Sequence, residues 1–256
     1  MFKLGSLGTH GDFSLCSDVD IAIMLDNILE SDADVMNTLW EKLKKSKYDY
    51  ANRLSVFWSS YHTHDFANGK GRFPALDRLD FIRHAVILSG EDRRYRLPEP
   101  TAEDLIIESA EFMLSYMLSE EKRIELTRNP QIILEKGSRY FTKFVLFPVR
   151  LIFTIDYPNT IGSNKDAVNH FNQSWKIALA EEVSEIINVA YKLRNTDPNQ
   201  VVDYNVEQIK IFLPRLYLYC LNRYHKAIAD ISCSDDEKKR LQEKIRAFKQ
   251  KITLAI

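Results

Sequence analysis

Apolar and polar residues follow two different rhythms along this chain, and the change comes near residue 96. Before it, short apolar runs alternate with helical spacing. Residues 21–25 form a continuous apolar run, the pattern of a strand buried on both faces. Ser31 is a good N-cap, and Val35, Leu39 and Leu43 recur every four residues, which predicts a helix over 32–47. Residues 54–58 are rich in β-formers and predict a strand. Residues 61–74 hold His, Asn, Gly and Pro and read as a loop, 76–83 as a short helix and 85–88 as a short extended stretch. After Leu97-Pro98-Glu99-Pro100 the pattern is helical only. Helices are predicted over 101–119, 139–156 with Pro158 as a stop, 165–194 as one long helix, and 201–231 with a kink at Pro214. A last helix opens on a Ser234/Glu237 capping box and lines Leu241, Ile245, Phe248 and Ile252 on one face. The fold class expected is an α/β (α+β) domain with a small mixed sheet over 1–96, followed by an all-α domain over 97–256.

Composition narrows the classes. The 256 residues are 45% hydrophobic, with eight Gly and eight Pro, which excludes a disordered or collagen-like chain. Lys and Arg number 35 against 36 Asp and Glu, so no bulk positive field argues for long nucleic acid as a partner. The longest apolar stretch, near 144–155, is interrupted by Pro148 and Arg150 and is too short for a bilayer. Cys16, Cys220 and Cys233 are odd in number and form no CxxC pair; with no secretory leader pattern, reduced thiols in a cytoplasmic protein are expected.

Candidate chemistry sits at the amino end. Gly5-Ser6 is followed by Ser17-Asp18-Val19-Asp20 and then the first long strand. Acids at i and i+2 on a strand share a face, ~7 Å apart. Two such carboxylates suit one or two Mg²⁺ ions, which favour oxygen ligands and leave positions for phosphates. A Gly-Ser turn offers backbone N–H groups and a hydroxyl, and glycine leaves room for the approach of a phosphate chain. The loop 8–17 carries Gly8 and Gly11 and can bend back over the acids.

In this order, Gly5-Ser6 … Ser17-Asp18-Val19-Asp20 resembles the signature of the DNA polymerase β-like nucleotidyltransferase superfamily. More narrowly, the chain resembles aminoglycoside adenylyltransferases of the streptomycin/spectinomycin type. Residues 76–92 are similar to the helix and strand that close that family's catalytic domain. Val149-Arg150 … Phe153-Thr154 … Ile161-Gly162-Ser163-Asn164-Lys165-Asp166-Ala167 is similar to its Arg … Tyr-Thr … Gly-x-x-x-Ser-Lys-x-x-Ala stretch. The similarity spans residues 1–175. It implies Mg²⁺ held by Asp18 and Asp20, and phosphate contacts from Gly5, Ser6 and Ser17. ATP is the implied co-substrate, with Arg150 and Lys165 facing the acids across a cleft, and a small hydroxylated molecule the acceptor. Asp156 is the acid of the helical half placed to act as base.

Two departures qualify the resemblance. The family places a third acid on the next strand, yet residues 53–60 read Arg-Leu-Ser-Val-Phe-Trp-Ser-Ser, with Ser55 at the acid's position. Asp65, Asp80 or Asp156 takes its place, or the chain is a nucleotide- or protein-binding member of the fold that has lost catalysis. The sequence also begins directly on the Gly-Ser strand, where the family places a helix first. Weaker patterns read as structure. His62-x-His64-Asp65 is a surface loop, Arg78 with His84 a chance spacing, Phe212, Tyr217, Tyr219 and Tyr224 core packing, and the cations of 238–251 a solvated helix face.

Overall fold

A computed structural model describes residues 1–8, 12–48, 50–175, 179 and 181–254. The chain divides into two compact units, 1–13 with 17–101, and 14–16 with 102–256.

The first unit is mixed α/β. In chain order it holds β1 (Phe2–Lys3), α1 (Gly5–Gly8), β2 (Val19–Leu25), α2 (Asp32–Lys44), β3 (Leu54–Ser60), α3 (Thr63–Ala67), α4 (Ala75–His84) and β4 (Val86–Ile87). The four strands form one sheet in the order β3-β2-β1-β4. β1 runs antiparallel to both neighbours, pairing Phe2 with Ala22 and with Ile87. β2 and β3 are parallel, with Asp20 opposite Ser55 and Leu25 opposite Ser60. A parallel pair needs a crossover, and α2 supplies it. Trp40 on α2 donates its indole N–H to the Leu54 carbonyl at 3.2 Å, tying the crossover to the start of β3.

The core of this unit is aromatic. Phe2 and Phe81 meet edge to face at 4.9 Å between centroids, and Phe73 lies within 6 Å of Phe57, Phe66 and Phe81. These rings lock α4 against the sheet. Arg94 closes the carboxyl end of α4 by donating to the carbonyls of Phe81 and Ala85 at 2.9 and 2.7 Å, which satisfies acceptors a helix end leaves open.

Several expectations are corrected here. β2 is not buried on both faces: Ala22 is its one buried residue and the other six are half-buried. The helix expected over 32–47 ends at Lys44, and its stripe is uncovered, with Val35 57% and Leu39 39% exposed. The loop expected over 61–74 contains α3, whose Phe66 is pulled into the aromatic core. The burial of Phe66 overrides the weak helix propensity around it.

The second unit is helical. It comprises α5 (Ala102–Phe112), continued by a wider π-turn over Met113–Met117, then α6 (Glu120–Thr127), α7 (Gln131–Glu135), α8 (Ser138–Asp156), α9 (Asn164–Ser174), α10 (Glu181–Leu193), α11 (Val206–Asp230) and α12 (Asp235–Thr253). The single helix expected over 165–194 is two, α9 and α10, and part of their junction, 176–178 and 180, lies outside the described residues. Both run along one apolar core: Val168, Phe171, Val183 and Ile187 are all buried. α6 and α7 fall in a stretch with no predicted element. α12 starts at the expected cap, where Ser234 Oγ accepts from the Glu237 N–H, and buries Leu241, Ile245 and Ile252. All three cysteines are free thiols. Among the described residues no helix is long and apolar enough to cross a membrane.

α8 and α11 pack through a specific polar contact. Pro148 has no N–H, so the carbonyl of Phe144 four residues earlier loses its usual helical donor. The hydroxyl of the fully buried Tyr217 donates to that carbonyl at 2.9 Å. The Tyr224 hydroxyl also donates to α8, at the Leu151 carbonyl, 3.2 Å away. Tyr217 and Tyr224 are core residues, as expected. Tyr217→Phe should therefore cost about 1–3 kcal/mol in denaturant unfolding, the penalty for a buried acceptor left unmet. Pro148→Ala restores an N–H to the ladder, and in that background the cost of Tyr217→Phe should shrink.

Candidate functional site

The geometry of the amino-terminal site begins with the end of β1. The Leu4 N–H donates to the Asp20 carbonyl at 2.9 Å, which carries the β1–β2 ladder one residue further. The chain then turns sharply at Gly5, whose φ is +61°, a left-handed conformation that glycine adopts without strain. α1 is the single turn that follows, closed by the Gly8 N–H on the Leu4 carbonyl at 3.0 Å. Ser6 lies in this turn, half-buried.

Two carboxylates meet the turn. A Cβ built on Gly5 would stand 2.7 Å from Asp20 Oδ2, inside any normal contact. The backbone N–H of Gly5 donates to Asp80 Oδ2 at 2.7 Å. One residue's N and Cβ positions are ~2.5 Å apart, so the two carboxylates come within about 8 Å of each other at Gly5. Asp20 reaches the turn from β2 and Asp80 from α4, 75 residues away in sequence from Gly5. Asp80 is 5% exposed, and its neighbour Phe81 belongs to the aromatic core that fixes α4.

Asp18 is the residue immediately ahead of β2, half-buried, next to the buried Ser17. The pleat of β2 therefore sets the direction of Asp20 but does not extend to Asp18. Among the described residues no group of three or more His, Cys, Asp or Glu is assembled for a metal. The donor set at this end is thus carboxylates beside a bare backbone turn. That set suits a hard cation such as Mg²⁺, which takes few protein ligands and completes its shell with water or phosphate oxygen. Gly11 lies outside the described residues.

The three acids considered as replacements for the missing strand carboxylate part company. Asp65, on α3, accepts from Ser60 Oγ at 3.0 Å and pairs with Lys70 at 3.2 Å. Ser60 lies five residues beyond Ser55 on β3, about 16 Å along the strand. Asp65 is therefore fixed at the far end of the sheet. Asp80 is held at Gly5. Asp156 belongs to the second unit, at the last residue of α8, half-buried, where it pairs with Arg223 and with His170 Nε2 at 2.8 Å. Arg78 is buried against Gly69, where a Cβ would come within 2.6 Å of its Nη1.

Arg150 and Lys165 also belong to the second unit. Arg150 is a half-buried residue of α8, and Lys165 is exposed in the first turn of α9. That turn is fixed by a capping box. Ser163 Oγ accepts from the Asp166 N–H at 3.0 Å, while Asp166 Oδ2 accepts from the Ser163 N–H at 3.1 Å. Gly162 packs its bare Cα on Phe153, where a Cβ would come within 2.4 Å of the ring.

Sequence reasoning missed His170 and Arg223. His170 is walled by Phe153, Tyr157 and Trp175. Its Nε2 also lies 3.0 Å from the Trp175 indole N–H. One ring nitrogen cannot donate to Asp156 and accept from Trp175 together, so these contacts compete. His170 borders an open cleft of about 480 Å³, shared with Tyr157, Thr160, Asp166, Asn169 and Gln173. Spacing carries no signal for this group. The Ser163-x-x-Asp166 box, by contrast, is written in the sequence.

No family model matches this sequence, and no curated protein matches it.

The contact of Gly5 with Asp20 leaves no room for a side chain. Gly5→Ala should lower stability by about 1–3 kcal/mol through the left-handed backbone and displace the Asp20 carboxylate. Thermal unfolding and a structure of the variant check both effects. An unshifted Asp20 and an unchanged midpoint would show that the turn tolerates a Cβ.

Proposed function

We propose that the first unit is the catalytic unit of a Mg²⁺-dependent nucleotidyltransferase, which moves a nucleotidyl group, adenylyl by the resemblance, from a nucleoside triphosphate to a hydroxyl of a small molecule. One observation carries the reading. The Gly5-Ser6 turn lies directly against Asp20, the second acid of Asp18-Val19-Asp20, with the glycine Cα where any Cβ would strike the carboxylate. Gly5 and Asp20, fifteen residues apart in the sequence, thus meet in space.

In this reading the acceptor hydroxyl oxygen attacks the α-phosphorus, a new P–O bond forms, the bond to the bridging oxygen breaks, pyrophosphate leaves, and the hydroxyl proton passes to solvent. Bound Mg²⁺ supplies charge neutralisation at the phosphates and acidifies the attacking hydroxyl. Asp18 and Asp20 hold the ion. Ser6 offers its hydroxyl to a phosphate oxygen, and Gly5 keeps the approach to the turn clear. Holding the triphosphate in a fixed line converts a bimolecular encounter into a positioned one, which is the larger part of the protein's contribution.

A second reading is a member of the same fold that binds nucleotide without turnover. One observation favours it: the residue opposite Asp20 on β3 is Ser55. A serine cannot ligate a metal as a carboxylate does or serve as base at neutral pH.

Titration calorimetry tests the shared part of both readings. ATP should bind in the presence of Mg²⁺ and not after chelation, and Asp18→Asn and Asp20→Asn should each weaken that binding about ten-fold or more. Saturating Mg²⁺ and ATP should raise the melting temperature of the native protein and not of these variants. Unchanged affinity in both variants contradicts the site. Transfer of label from ATP to a hydroxylated acceptor separates the first reading from the second.

A further inference from the structure

The carboxylate that the sequence lacks on β3 has a counterpart on α4. Asp80 is 5% exposed and its Oδ2 accepts the Gly5 N–H at 2.7 Å. It cannot drift from that position easily. Phe81, the next residue, packs on Phe2 at 4.9 Å, and Phe2 lies three residues before Gly5 on β1. Arg94 secures the end of the same helix through the carbonyls of Phe81 and Ala85. The helix that presents Asp80 and the strand that presents Gly5 are thus joined by an aromatic contact beside a charge-assisted hydrogen bond.

We propose that Asp80 is the positioning residue of the amino-terminal site: from α4 it holds Gly5 in its left-handed turn, so that the Gly5-Ser6 segment stays open against Asp20 and ready for a phosphate. The role is distinct from ligation. Asp80 acts through the backbone of Gly5, whose N–H it accepts. It also explains how β3 can carry Ser55 opposite Asp20. The order that a strand carboxylate would impose on the site comes from a helix on the other side of the turn. The bond to Gly5 occupies that N–H, so an incoming phosphate would draw on the later donors of the turn, the Ser6 hydroxyl among them. The consequence for phosphate rests on the nucleotidyltransferase reading; the consequence for Gly5 does not.

The test uses the full chain and three variants. Asp80→Ala removes the acceptor. Asp80→Asn keeps an oxygen of the same shape and loses the charge. Val56→Ala opens the buried side of β3, outside the phenylalanine cluster that holds α4, and serves as the control for general destabilisation. Two quantities are read: hydrogen exchange of the Gly5 amide by NMR, and affinity for ATP with Mg²⁺ by calorimetry. Asp80→Ala should speed Gly5 exchange about ten-fold or more and weaken ATP binding by a similar factor. Asp80→Asn should stay within about three-fold of the native protein in both, and Val56→Ala should leave ATP affinity unchanged and Gly5 exchange no faster than that of its neighbours in β1. Unchanged Gly5 exchange in Asp80→Ala, or an equal rise in Val56→Ala, overturns the proposal. Fast Gly5 exchange in Asp80→Ala, in a protein whose native form binds no ATP, upholds the role of Asp80 and overturns the nucleotide reading alone.

Discussion

A backbone carbon with no side chain is what allows the amino-terminal site to form. At Gly5 the chain leaves β1 with a positive φ, and the space a Cβ would fill is taken by the Asp20 carboxylate. The same residue gives its N–H to Asp80. Strand β2, helix α4 and the turn after β1 therefore share one point of contact. Each of the three is anchored separately: β2 by its two neighbouring strands, α4 by the phenylalanine cluster and Arg94, and β1 by pairing on both edges. Two acids brought to one turn repel unless something positive lies between them, and a backbone N–H carries only part of a charge. In the proposed nucleotidyltransferase reading, a hard cation held by Asp18 and Asp20 would add to that compensation.

The helical unit treats its charged groups differently. Asp156 is half-buried and divided between Arg223 and His170, behind a wall of aromatic rings. Two partners hold that carboxylate in place. The nearby α8–α11 contact follows the same economy of satisfied groups. Pro148 opens the helical ladder at Phe144, and Tyr217 from α11 closes it. A proline that would weaken an isolated helix here selects which residue of the neighbouring helix can pack beside it.

The extent to which sequence anticipated this structure follows from how local each cause is. Strands β2 and β3, helices α4, α8 and α12 and the Ser234 cap were legible, because apolar runs, spacing and caps are local. Spacing also predicted that Val35 and Leu39 form one stripe, but a stripe does not say what covers it, and these residues stand exposed. The single helix predicted over 165–194 fails for a related reason, since Val168, Phe171, Val183 and Ile187 keep a helical spacing in the sequence although they belong to two helices. Gly5, Asp18 and Asp20 could be chosen as site candidates from their order in the chain. That Asp80 rather than Asp65 reaches Gly5 could not, because the choice is made by Phe2 and Phe81 meeting across the core, a contact with no trace in local pattern. Asp65 was equally acidic and closer to β3 in sequence, and Ser60 and Lys70 hold it at the other end of the sheet.

The central claim is that Gly5, Ser6, Asp18 and Asp20 make one seat for a metal-bound triphosphate. Paramagnetic broadening in ¹⁵N-labelled protein addresses it most directly, with Mn²⁺ substituted for Mg²⁺ and a non-hydrolysable ATP analogue present. Mn²⁺ broadens amide signals steeply with proximity, so its place is read without any assay of turnover. The account predicts that the amides of Gly5, Ser6 and residues 18–20 broaden first, at substoichiometric Mn²⁺, and that those of Ser60 and Asp65 at the far end of β3 stay sharp. Broadening centred on Asp65, or spread evenly over the acidic surface with the Gly5 and Asp20 amides unaffected, would contradict it.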